Sequence, residues 1–355
     1  MLFHGFGTHH HCRVARDGEG HAGRRNLIAR SVSESAVMAI PSLLQHIRLP
    51  LIAAPMFTVS YPELVIAQCR AGIVGAFPAL NARPQPELDA WLKRIAQETT
   101  EPYPGVEKCA PYAVNLIIHG SNERQAEDAA VCIAHKVKIL ITSLGAPPKE
   151  LVDEVHGYGG IVLHDVIHAK HAKKALEAGV DGLIVVASGA GGHAGRLSPF
   201  ALVTEIRQFY PDGFIILSGA IASGGAIVAA QAMGADMAYM GTRFIATQEA
   251  NAAEAYKQAV VAASTDDIVY TDRVTGVLGN YLKDSLIRGG IDLDDVQGRP
   301  GALRLNNEQG KAWKDIWGAG QSVAAIGDMP PVETLVNRLA TEYRETLDRL
   351  VGIKS

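Results

Sequence analysis

Three times in this chain an apolar helical pattern stops on glycine and passes at once into a strand-like run: Ala71-Gly72-Ile73-Val74, Ala178-Gly179-Val180-Asp181 and Met233-Gly234-Ala235-Asp236. Glycine ends a helix cheaply because it alone takes the left-handed conformation without strain. Helix and strand must therefore alternate with very short connections. Apolar runs at 51–56, 73–79, 112–118, 137–143, 161–164, 182–187, 214–218 and 237–241 give eight strand candidates, with helical patterns between them. Their near-continuous apolar character marks strands covered on both faces, as in a parallel sheet. Eight β–α units favour a closed (β/α)8 TIM barrel in the α/β class, with an open doubly wound sheet as the alternative.

The barrel pattern occupies residues 38–264. Residues 1–37, rich in His, Arg and Gly and without apolar periodicity, read as a disordered extension, with Met38 as the functional start. Residues 265–355 break the alternation. Within them 266–280 reads as irregular, 313–327 and 332–350 as helices, and the whole as a C-terminal extension packing on the barrel and covering the active-site mouth. Trp317 and Gln321 are candidates for closing the site.

A net charge of −4 gives no reason to expect nucleic acid or an anionic membrane as a partner. No run reaches the ~18 unbroken apolar residues of a membrane span. The four cysteines (Cys12, Cys69, Cys109, Cys132) form no C-x-x-C pair, which fits a reducing, cytoplasmic compartment. A homo-oligomer is possible.

In a barrel of this kind chemistry sits at the C-terminal strand ends. Those ends are Ala54-Pro55-Met56, Phe77-Pro78, Asn115, Thr142-Ser143, His164, Ser188 with the glycine-rich loop Gly189–Gly195, Ser218-Gly219-Ala220, and Gly241-Thr242. Glycines that follow a strand let a ligand approach the backbone and turn N–H groups toward an anion. Gly191-Gly192 and Gly241-Thr242 are thus two phosphate cradles, the second where barrels place one. Only His164 and His193 titrate near neutrality here. There are no paired carboxylates for hydrolysis and no metal-ligand spacing of histidines. A site poor in chemical groups and rich in phosphate cradles suits a protein that borrows its chemistry from a phosphorylated cofactor.

Taken together, Pro55-Met56, Asn115, Gly191-Gly192-His193 and Gly241-Thr242-Arg243-Phe244 resemble the nitronate monooxygenase (2-nitropropane dioxygenase) family, over roughly residues 43–327. The resemblance implies an FMN-dependent barrel. Pro55 and Met56 would line the isoalloxazine edge and Asn115 would hydrogen-bond the ring. Gly191, Gly192, Gly219, Ala220, Gly241 and Thr242, with Ser188 beside them, would hold the FMN phosphate. His164 would be the catalytic base, taking the α-proton of a nitroalkane or orienting a nitronate; His193 competes for that role. Dioxygen would be the oxidant, and a carbonyl compound and nitrite the products. This chain departs from many relatives in having Ala190 before Gly-Gly-His and Asp165-Val166 after His164. Three function classes follow: an FMN monooxygenase on nitronates, an NAD(P)H-dependent flavin reductase on quinones or enoyl thioesters, and a non-redox isomerase or lyase on a phosphorylated substrate.

Overall fold

The computed structural model describes residues 40–293 and 315–352; the extension expected over residues 1–37 lies outside them. Eight parallel strands form one sheet: β1 (Leu51–Ala53), β2 (Gly75–Pro78), β3 (Tyr112–Ile118), β4 (Ile139–Leu144), β5 (Ile161–Val166), β6 (Gly182–Val186), β8 (Phe214–Ser218) and β9 (Met237–Met240), with a two-residue strand β7 (Gly192–His193) outside that sheet. Their order is β1-β9-β8-β6-β5-β4-β3-β2. The two edges then meet, because Ile52 bridges Val74 and the Ala53 N–H donates to the Val74 carbonyl at 2.8 Å. That contact closes the (β/α)8 barrel.

Successive side chains on a strand point to opposite faces. Ile52, Ala76, Ile141, Leu163, Ile184 and Ile216 consequently pack together inside the barrel. Their neighbours Leu51, Phe77, Leu140, Val162, Leu183 and Ile215 face the surrounding helices. The glycine junctions behave as their sequence requires: Gly72, Gly179 and Gly234 end helices with φ of +86°, +89° and +101°. Helix starts are equally local. Pro62 opens the helix Pro62–Arg70, where a missing N–H costs nothing, and the Ser223 side chain caps Gly224–Ala232 by accepting from the Ala226 N–H.

The region after the barrel departs from its sequence reading in two places. The segment expected to be irregular contains β10 (Ile268–Thr271) and β11 (Gly279–Leu282), an antiparallel pair extended by β7. Both strands are short and half polar, too brief for alternation to register. The helix expected over 313–327 is instead an extended stretch followed by the 3-10 turn Gln321–Ala325, its first two residues lying outside the described ones. Tyr281 bridges Gly318, and the Tyr256 hydroxyl donates to the Gly318 carbonyl. These contacts hold residues 316–322 as a strap rather than a helix. The helix Val332–Gly352 does form, and it buries Val332, Leu335, Val336 and Leu339. It packs on the outer helices Gly224–Ala232 and Pro62–Arg70, away from the mouth. Gly224 permits this approach, since a Cβ there would lie 2.3 Å from the Leu339 carbonyl. Hairpin and strap, not the helix, supply the cover. Among the described residues no helix is long and apolar enough to cross a membrane.

Candidate active site

The C-terminal strand ends open into a cavity of about 1410 Å³. One half of its wall is backbone. Gly189, Gly192, Gly219 and Ala220 have positive φ (+86°, +67°, +136° and +54°), the left-handed turns from which backbone anion sites are built. The loops interlock there. The Gly189 carbonyl accepts from the Ala220 and Gln321 N–H groups at 3.3 and 2.9 Å. The Gly320 N–H donates to Thr242 Oγ1 at 2.9 Å. A Cβ on Gly191 would lie 2.8 Å from the Gly320 nitrogen and 2.9 Å from Thr242 Oγ1, whereas one on Gly192 would meet nothing within 4 Å. Gly191 is therefore glycine for packing against the strap, whereas Gly192, half-buried and paired with Asn280, has open space only where a side chain would point.

The other half is side chain. Asn115 Nδ2 donates to the Ile141 carbonyl at 3.1 Å and to Ser143 Oγ at 2.7 Å, and Ser143 Oγ donates to Asp165 Oδ2 at 2.6 Å. This row crosses β3, β4 and β5. Burial pushes the Asp165 carboxyl up to about 7. Pro55 and Met56 stand at the end of β1, where the Met56 N–H donates to Ser60 Oγ and its carbonyl accepts from Asn81 Nδ2, both at 3.0 Å. Asn81 also bonds the Ser60 carbonyl and the Thr58 N–H, so one buried amide fixes this turn.

Pro55, Met56, Asn115, Gly191, Gly192, Gly219, Ala220, Gly241 and Thr242 all line the cavity. Two anticipated residues do not. Ser188 sits behind the glycine loop, its N–H donating to the Leu197 carbonyl at 2.8 Å. His164 is turned away, paired with Thr142 Oγ1 at 2.8 Å on the outer face of the sheet. The reason is the pleat: β5 continues through Val166, and along it His164 and Asp165 cannot both face the interior. Asp165 takes the inward place. Burial holds the His164 imidazole down to about 4. Arg243 is also directed elsewhere, donating to the Ala246 carbonyl and to the carbonyl and carboxylate of Asp328.

His193 is the imidazole on the cavity wall near the glycine cradle. It lies on β7, its Nε2 paired with Thr275 Oγ1 at 2.8 Å, so the hairpin that the sequence hid is what holds it. Burial lowers its pKa to about 4, and it is neutral at physiological pH. Among the described residues no group of three or more His, Cys, Asp or Glu is placed to hold a metal. Glycine-rich turns, polar row and neutral imidazole thus share one pocket at the barrel mouth.

The sequence profile of the family described as nitronate monooxygenase matches residues 41–342. This chain belongs to that family. It is an oxidoreductase by that membership. A nitronate monooxygenase of Paraburkholderia phytofirmans is 27% identical over 354 residues, covering 85% of this chain and 94% of that one. A (3aS,4S,5R,7aS)-5-hydroxy-7a-methyl-1-oxo-octahydro-1H-indene-4-carboxyl-CoA dehydrogenase of Rhodococcus jostii is 27% identical over 283 residues, covering 79% and 76%. The solved structure of a nitroalkane oxidase from Streptomyces ansochromogenes superposes with a TM-score of 0.75 at 24% identity over 87% of this chain and all of that one, which shows the shared fold.

Sequence reasoning missed Asp165, Asn81 and Thr275; of the strap it anticipated Trp317 and Gln321, but on a helix. Only Asp165 left a signal, since counting the pleat forward from the apolar Ile161 and Leu163 puts it on the lumen face.

Proposed function

We propose that this family member is an FMN-dependent monooxygenase that oxidises alkyl nitronates with dioxygen to a carbonyl compound and nitrite. What supports this reading is the convergence of glycine-rich backbone turns, a row of polar side chains and the neutral imidazole of His193 on a single cavity. The residues present fit the cofactor. Gly191, Gly192, Gly219, Ala220 and Gly241 would hold its phosphate, and Thr242, whose Oγ1 already accepts from Gly320, keeps its own O–H to donate. Pro55, Met56 and Asn115 would bound the ring. Bound there, FMN would supply the transfer of electrons from substrate carbon to dioxygen.

The chain's own groups then select the form of substrate. A histidine with its pKa near 4 is a weak acceptor for the α-proton of a neutral nitroalkane. As a hydrogen-bond partner it still orients a nitronate, which arrives already deprotonated. His193 is accordingly the residue at the substrate, and His164, behind the wall, is a packing residue. The hairpin and strap narrow the mouth and exclude water from the reacting atoms.

The test is direct. Purified protein should be yellow, release FMN on denaturation, and liberate nitrite from propionate 3-nitronate or ethylnitronate in air, faster than from the neutral nitroalkane. Colourless protein that no flavin restores would end this reading. A second reading, an NAD(P)H-dependent flavin reductase acting on a thioester, draws support from the Rhodococcus relative's name and from Arg83 and Arg124 at the cavity mouth. Rapid anaerobic bleaching by NADH or NADPH, without nitrite release in air, would select it.

A further inference from the structure

Two buried oxygen atoms of the cavity wall have no hydrogen-bond partner: Asp165 Oδ1 and Tyr239 Oη. They stand on β5 and β9, with β6 and β8 between them in sheet order, and both side chains enter the lumen. Buried polar atoms of this kind are rare, because each forfeits its hydration without return. The arrangement around them is otherwise saturated. Asp165 Oδ2 is taken by Ser143, Ser143 by Asn115, and Asn115 by the Ile141 carbonyl. The row of bonds ends on Asp165, whose second oxygen shares the interior with the separate Tyr239 hydroxyl.

Topology says what reaches them. A ligand gripped by phosphate at the ends of β6, β8 and β9 must cross the barrel axis to meet Asn115 on β3. Asp165 and Ser143, on β5 and β4, are the polar lumen residues passed on the way. A substrate entering from the mouth would lie above that path. The occupant best matched to the floor is the cofactor's own flat ring, whose polar edge carries carbonyl oxygens and ring nitrogens.

We propose that Asp165, as its carboxylic acid, donates a hydrogen bond to the polar edge of the flavin ring, with the Tyr239 hydroxyl as a second donor across the lumen. This rests on the flavin reading above. The acid form is the one that can donate, and burial, which raises the carboxyl to about 7, keeps it largely protonated below neutrality. Tyr239 stays a phenol because burial, and then the neighbouring Asp165 charge, hold its pKa well above the ordinary value.

The experiment titrates FMN into full-length apoprotein at pH 6 and follows flavin fluorescence and absorbance. Asp165→Leu should weaken binding about 3–10-fold, the loss of one neutral hydrogen bond, and shift the bound flavin spectrum. Asp165→Asn keeps an N–H donor and should restore affinity to within about 2-fold of the parent. Tyr239→Phe should weaken binding by a smaller factor. Should Asp165→Leu not fold, the Tyr239→Phe and Asp165→Asn pair decides, because neither changes side-chain volume appreciably. An unchanged Kd and spectrum in Asp165→Leu, or in Tyr239→Phe where Asp165→Leu does not fold, would overturn the proposal while leaving flavin binding intact. Parent protein that binds no FMN would instead bring down the flavin reading itself.

Discussion

The two halves of the cavity wall solve recognition in opposite ways. The side formed by the loops after β6, β8 and β9 presents peptide groups, fixed by left-handed turns and braced by the strap, with few side chains such as Thr242 and Tyr239 among them. The side formed by the ends of β1, β3, β4 and β5 presents side chains, each aimed by the pleat and locked by a neighbour. A backbone surface is unforgiving about volume and indifferent to side-chain chemistry. A side-chain surface reverses those sensitivities. The sharpest way to break the comparison is Gly191→Val. Its Cβ would lie 2.8 Å from the Gly320 nitrogen and 2.9 Å from Thr242 Oγ1. Displacing the strap should cost about 2–3 kcal/mol, roughly a 100-fold loss of FMN affinity by fluorescence titration. An isosteric change on the other half, Asn115→Asp, should leave affinity within about 10-fold.

The histidines make the same contrast within one residue type. His193→Ala should lower turnover of nitronate about 10–100-fold, the loss of one hydrogen bond to a charged group, with flavin content unchanged. His164→Asn should retain turnover within a few-fold, because its side chain meets Thr142 on the far side of the wall. Nitrite release under matched flavin loading measures both. Equal losses in the two variants would show that the outward histidine communicates with the reacting atoms after all.

These contrasts also explain what the amino-acid string made visible. Glycine junctions and apolar runs are local, so the eight strands, the barrel and the glycine cradle could be read directly. Nine of the anticipated site residues reach the cavity for that reason. His164 did not, because the pleat that sends Ile161 and Leu163 into the lumen turns His164 outward and gives the next inward place to Asp165. Thr275 and the extended course of the strap, though not its residues Trp317 and Gln321, were invisible for another reason. They are placed by long-range pairing of β7 with β11 and of Tyr281 with Gly318, contacts with no periodic trace.

Stability against pH should treat the two histidines alike even though activity separates them. Both fold with a pKa of about 4, against an ordinary value of 6.5. Between those values the unfolded chain binds more protons, so their contribution is complete above about 6.5 and is lost as pH falls toward 4, about 3 kcal/mol for each. Asp165 works the other way. Its folded value of about 7 exceeds the ordinary 3.8, so it destabilises the fold increasingly as pH rises between them. Urea unfolding between pH 6.5 and 4.5 should therefore show a shallower acid loss in His164→Asn and in His193→Asn, by similar amounts. Asp165→Asn should steepen it. A flat profile in the parent would mean the imidazoles gain partners on folding that restore their ordinary affinity for protons.

The smallest effect belongs to the glycine next door to the most sensitive one. Gly192 has φ +67° but nothing within 4 Å of a Cβ, so alanine there strains the backbone without touching a neighbour. That strain is worth about 1–2 kcal/mol, and it falls on the turn rather than on the strap. Gly192→Ala should thus lower Tm by a few degrees and weaken FMN only several-fold, well short of Gly191→Val. If the two variants lose flavin equally, the open space beside Gly192 is where the phosphate sits, and the cradle is closed by the ligand instead of by the chain.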